Sequence, residues 1–244
     1  MNNPIDHPPV IEEKNLPDLP HVPWTMRDVW LGLTLFLIWL LVSLGFAIAR
    51  ETYAWGFDIG YFLVLWELVL IIPAWLLTIR KYKLSWEDLG LRKFDLATIA
   101  IGCGLMAFTF LFNFLYNLFL LLNDIQSNFE VSEIFSDVSS PWLIFVTGVL
   151  IAPLVEEIFF RGFLYPGLRE RYGWIPAALI SAALFAGVHL QPITMPPIFL
   201  MGLIFAYLYQ RTGSIWPGVI MHLGTNTLGL AAAYLISQLE PLGF

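Results

Sequence analysis

The chain has 244 residues, 58% of them hydrophobic and 13% charged, with a mean hydropathy of +0.74 and a formal charge of −7. Soluble domains carry about 25% charged residues, so this composition describes a polytopic membrane protein, an all-α bundle of membrane helices with one domain. The negative charge argues against a nucleic-acid partner.

Residues 1–27 form a tail with Pro4, Pro8, Pro9, Pro17, Pro20 and Pro23. Prolines at this density prevent a helix, so the tail is expected to be disordered or extended and cytoplasmic, with His7 and His21 solvated. The membrane domain follows over 28–244. Its first apolar run, 29–49, ends in Ala47-Ile48-Ala49, which imitates a signal-peptidase site. The run is too long and its flank too acidic for a signal peptide, so it reads as an uncleaved helix.

Six further segments follow, at 59–79, 96–122, 141–168, 174–190, 198–209 and 215–236. About seven helices are expected, six to eight with the ends uncertain, because a span needs about 20 residues. The linker 80–95 alternates basic and apolar residues and reads as a surface-lying amphipathic piece. The linker 123–140 carries Asp124, Glu130, Glu133 and Asp137 without Lys or Arg. Cys103 can form no intrachain disulfide and reads as a small packed residue. With the N-terminus in the cytoplasm, every Lys and Arg except Arg50 falls on the cytoplasmic side, the positive-inside pattern. The expected location is a cell membrane of bacterial type.

Polar residues interrupt the last four segments. Glu156, Glu157 and Arg161 come first, then His189, then His222 and Asn226. Ionisable groups inside a membrane mark functional sites. Glu157 and Arg161, four apart, can pair on one helix face. That leaves Glu156 without a local partner and suited to taking and giving a proton. Pro153 is expected to bend the helix just before them.

Glu156 lies 13 residues before Arg169 and His189 lies 16 after Gly173. At 1.5 Å per residue both stand roughly 20–24 Å from the intervening turn, level with each other. The spacing predicts a polar cavity part-way into the bilayer, nearer the cytoplasmic side. His222 and Asn226 share a face, and Ala178, Ala182, Ala186 and Gly218 offer small faces for close approach. Asn113 and Asn117 read as interhelical hydrogen-bonding groups. Glu67 is a weaker candidate for the cavity wall.

The patterns Glu156-Glu157-Ile-Phe-Phe-Arg161, Phe185-Ala-Gly-Val-His189 and His222-Leu-Gly-Thr-Asn226 resemble those of the CPBP family, the CAAX-protease and bacteriocin-processing membrane proteases, also called the Abi family and including type II CAAX prenyl endopeptidases. The motif region covers about 141–230. The resemblance implies an intramembrane endopeptidase acting on membrane-associated proteins or peptides. In it Glu156 and His189 polarise a water, His222 and Asn226 stabilise the oxyanion, and Glu157 and Arg161 support the site.

Such proteins are classed as metalloproteases, and His189, His222 and Glu156 could hold zinc. The His-Glu-x-x-His helix is absent, so water activated without metal stands as the alternative. Ser214 lacks the surroundings of a serine nucleophile. A proton-coupled transporter, or a non-catalytic immunity or scaffold partner, are the competing readings.

Overall fold

The computed structural model describes residues 17, 19–53, 59–125, 135 and 140–239. Most of the tail, His7, and Glu130, Glu133 and Asp137 of the acidic linker lie outside the described residues. Those described form helices and no strand. The helices are α1 Met26–Tyr53, α2 Gly60–Arg80, α3 Ala97–Leu122, α4 Pro141–Tyr172, α5 Trp174–Gly187, α6 Met195–Thr212 and α7 Trp216–Leu239. All but α5 and α6 are long and apolar enough to cross a bilayer. The molecule is the expected polytopic helical bundle.

α4 is its axis. Half of its most apolar window is buried, against 11% for α1 and α3, which form the outside. α1, α2, α5 and α7 all pack on α4, while α6 lies along α5, α3 and α7. Aromatic rings fill the centre. Phe159, Phe160, Phe163 and Tyr165 of α4 are buried with Phe185 of α5 and Phe205 of α6.

The expected bend at Pro153 takes a specific form. The turn Val146–Ile151 just before it is π-helical, and so is Ile158–Leu164 just before Pro166. A proline supplies no N–H to the preceding turn, and a π-helical turn widens the helix and often sits at functional sites. Carbonyls in these stretches take outside donors. Phe160 accepts from Ser181 Oγ at 3.3 Å and Phe163 from Trp24 Nε1 at 3.1 Å.

The described part of the expected extended or disordered tail has no helix before α1 and is held against the bundle. Residues 19–25 lie along the α4–α5 end of the bundle. Trp24 is buried. Arg169 Nη2 donates to the carbonyls of Leu19 and Pro20, and Gln210 Nε2 to that of Pro17. His21, read as solvated, is exposed but bonds Glu170 through Nδ1 at 2.6 Å. α1 then starts with Thr25 as its cap. The buried Asp28 carboxylate accepts from Thr25 N, Tyr82 Oη and Lys81 Nζ, tying the start of α1 to the end of α2.

The linker after α2, expected as a surface-lying amphipathic piece, is mostly exposed and is anchored inward at one short turn. Ser85 and Asp88 cap the short 3₁₀ turn Trp86–Leu89, and Leu89 is fully buried. The turn rests on Gly162, where a Cβ would stand 2.6 Å from the Leu89 carbonyl oxygen. Arg92 Nε donates to the Gly213 carbonyl, and Ser214 Oγ to that of Arg92. Ser214 is thus a buried connector between linker and α6–α7 turn. Cys103 is exposed on α3, not packed.

Candidate active site

Glu157 and Arg161 form the predicted pair. Nη1 meets Oε1 at 2.8 Å, with neither side chain exposed. Charges this deep are tolerated only when paired and hydrogen-bonded. Arg161 Nη2 donates to the Gly202 carbonyl of α6 at 3.0 Å. Its guanidinium stands 4.5 Å from the Phe185 ring centroid and 5.3 Å from that of Phe205, contacts that stabilise a desolvated cation. One arginine thereby joins α4, α5 and α6.

α7 reaches the pair because position 218 is glycine. A Cβ there would come within 2.8 Å of Glu157 Oε2. One turn further, His222 enters between the two carboxylates. Its Nε2 is 3.8 Å from Glu156 Oε2 and its Nδ1 3.8 Å from Glu157 Oε1. These separations exceed hydrogen-bond reach. Glu156 Oε2, Glu157 Oε2 and His222 Nδ1 are buried and have no hydrogen-bond partner among the described residues. Arg161 Nε is buried without a partner as well, and buried polar groups are rarely left so. The His222 ring stacks on Phe205 at 5.2 Å and meets the edge of Phe185 at 5.6 Å.

His189 approaches from the end of α5. Its Nδ1 lies 2.8 Å from the Phe185 carbonyl oxygen. A carbonyl only accepts, so Nδ1 carries the proton and Nε2 is the acceptor of the neutral ring. Phe185 also packs against the His189 ring at 5.4 Å. It therefore contacts Arg161, His189 and His222 together.

Asn226, one turn beyond His222, donates through Nδ2 to the Gly148 carbonyl of the π-helical turn at 2.7 Å. An amide nitrogen has two hydrogens, so one N–H remains.

A cavity of about 560 Å³ adjoins these groups. His189, His222 and Asn226 line it, with mostly apolar neighbours from α3, α6 and α7. Asn113 of α3 lines it too. Its Oδ1 accepts from Asn117 Nδ2 at 2.9 Å within the same helix, so these asparagines pair along α3 and not between helices. Spacing alone could not have placed Asn113 at the cavity, although it is a polar break in an apolar run. Glu67, the weaker candidate, is not among the residues that line the cavity; it lies on α2, which packs on the Ala152–Glu157 turn.

Equal depth of Glu156 and His189 does not by itself make them neighbours. The near neighbour of Glu156 is His222, and His189 joins the group through Phe185 and the cavity. Glu156, His189 and His222, the candidate zinc set, do not close into a site. Among the described residues no three His, Cys, Asp or Glu side chains are grouped to hold a metal ion.

Comparison with known proteins places this region. YdiL of Bacillus subtilis (strain 168), provisionally named a membrane peptidase, is 35% identical over 100 residues, 41% of this chain and 39% of that protein. An uncharacterised 24.3 kDa protein of Escherichia coli is 36% identical over 107 residues, 41% of this chain and 49% of the other. The matches thus span less than half of either relative. UPF0177 protein YxdF of Lactococcus lactis subsp. lactis (strain IL1403) is 26% identical over 174 residues, 69% of this chain and 92% of that one. No solved structure matches. Residues 138–228, which hold Glu156, Glu157, Arg161, His189, His222 and Asn226, match the family model of Rce1-like type II CAAX prenyl endopeptidases.

Proposed function

We propose that this chain is an intramembrane endopeptidase that hydrolyses peptide bonds of membrane-associated proteins or peptides. The observation that supports it most is the cavity inside an apolar bundle. It brings His189, His222 and Asn226 to one wall, with Glu156 3.8 Å from His222.

In this reading Glu156 takes a proton from water and the water oxygen attacks the scissile carbonyl. His189 holds that water through Nε2, since its Nδ1–H is committed to Phe185. The second N–H of Asn226 and an N–H of His222 receive the oxyanion, donors that are most effective in a water-poor site. The protonated Glu156 then gives its proton to the leaving amine as the C–N bond breaks. Glu157 and Arg161 do not touch substrate. They fix the helix face on which Glu156 stands and the wall against which His222 rests. This reading assigns each step to side chains of the chain itself; a zinc ion, if bound, would be held by Glu156, His189 and His222 and would polarise the same water.

The orientation belongs to the same proposal. The 19–25 segment, the 80–95 linker and the α6–α7 turn meet at one basic end of the bundle, which faces the cytoplasm under the positive-inside rule.

The test uses the full chain reconstituted in liposomes with a library of membrane-anchored peptides. Wild type yields cleavage products. Glu156→Gln and His189→Ala each reduce the rate by about 10²–10⁴-fold, the range for losing a general base. Equal cleavage by wild type and both variants would overturn the proposal.

A further inference from the structure

A second cavity, of about 520 Å³, opens at the basic end of the bundle. It lies between the start of α3 and the end of α6 and is lined by Pro17, Lys93, Phe94, Asp95, Ile101 and Arg211, among others. Its charged groups differ in what they already do. Asp95 Oδ1 caps α3 by accepting from Ala97 N at 3.0 Å. Arg92, next to the pocket, spends its Nε on the Gly213 carbonyl. Lys93 and Arg211 form no hydrogen bond or ion pair among the described residues. Two uncommitted cations, on different elements, thus face one concave space. Phe94 and Ile101 supply apolar wall beside them, and Leu96 next to them is exposed.

We infer that this pocket binds a phosphate-bearing anion, with the headgroup of an anionic phospholipid as the occupant, its phosphate between Lys93 and Arg211 and its acyl chain along the outer face of α3. Arginine and lysine are the residues that hold phosphate oxygens, and basic pockets between membrane helices on the cytoplasmic side take anionic headgroups. Asp95 sets a limit on the site. Its carboxylate repels a multiply charged anion, which favours a phosphodiester over a free phosphate dianion. Pro17 closes one side of the pocket, and its carbonyl is held by Gln210. A bound lipid would therefore also touch the segment that lies across this end of the bundle. The inference is independent of the peptidase reading, because no residue of that site lines the pocket.

The experiment measures lipid retention by the detergent-solubilised full chain in native mass spectrometry. It titrates phosphatidylglycerol, phosphatidylcholine or inorganic phosphate into wild type, Lys93→Gln/Arg211→Gln, Lys93→Gln alone and Arg80→Gln. Wild type and Arg80→Gln should retain phosphatidylglycerol over phosphatidylcholine. The double variant should bind it about thirtyfold more weakly, roughly fivefold for each lost cation. The exposed Lys93→Gln change guards against misfolding of the double variant and should lose about fivefold alone. Competition by inorganic phosphate at equal concentration would assign the site to a soluble phosphate compound, and its failure to compete assigns it to the lipid. Unchanged retention in Lys93→Gln, or an equal loss in Arg80→Gln, would overturn the inference.

Discussion

Arg161→Met tests how the centre of the bundle is held together. The side chain is fully buried and does three things. It neutralises Glu157 at 2.8 Å, satisfies the Gly202 carbonyl at 3.0 Å and lies over the rings of Phe185 and Phe205. Methionine restores much of the volume and none of the charge. Glu157, with no exposed surface, is then a buried carboxylate without compensation. Removing one partner of a buried pair costs about 3–5 kcal/mol. At ~2–4 °C per kcal/mol for a chain of this size, Tm falls by roughly 6–20 °C. The assay is thermal unfolding in detergent, followed by tryptophan fluorescence. The decisive comparison is Glu157→Gln/Arg161→Met, which removes the stranded charge as well. It should recover most of the lost stability, because replacing both members of a buried pair is often near neutral. A double variant no more stable than Arg161→Met would show that the cost lies elsewhere and would refute the reasoning.

Gly218→Ala should lower stability by about 1–3 kcal/mol, as overpacking does, and reduce cleavage, because the new methyl pushes Glu157 from the wall beside His222. Calorimetry and the peptide assay on one preparation check it, and an unperturbed variant would contradict the close approach of α7. Treatment of the purified protein with a chelator should leave cleavage unchanged, since Glu156, His189 and His222 do not converge as one ligand set. Loss of activity that zinc restores would bring them back together.

Much of this architecture is written in local pattern. Apolar runs bounded by charge give the helices to within a few residues. The spacing of Glu157 and Arg161 gives their ion pair, and the Ala178, Ala182 and Ala186 row gives the small buried face of α5. What could not be read depends on contacts between distant segments. The position of Trp24 depends on a carbonyl in α4, 139 residues away. Residues 19–25 are proline-rich, and the bonds that fix them come from Arg169 and Glu170. The π-helical turns could not be foreseen from Pro153 and Pro166, which signal a bend without saying how the freed carbonyls are satisfied. Depth counting set Glu156 level with His189. Counting says nothing of rotation about the helix axis, and rotation decides that Glu156 meets His222. Phe185 was legible only as part of a resemblance; its role as the ring shared by Arg161, His189 and His222 needs three helices in place.

The central claim is that water, activated at Glu156, cleaves a peptide bond inside the membrane. Its most direct test is to express the wild type and Glu156→Gln in cells grown in H₂¹⁸O and to sequence the new carboxyl termini of membrane proteins by mass spectrometry. The account predicts termini that carry ¹⁸O with the wild type and are missing with Glu156→Gln, while the variant protein remains folded in the membrane. The same labelled termini in both strains would contradict it.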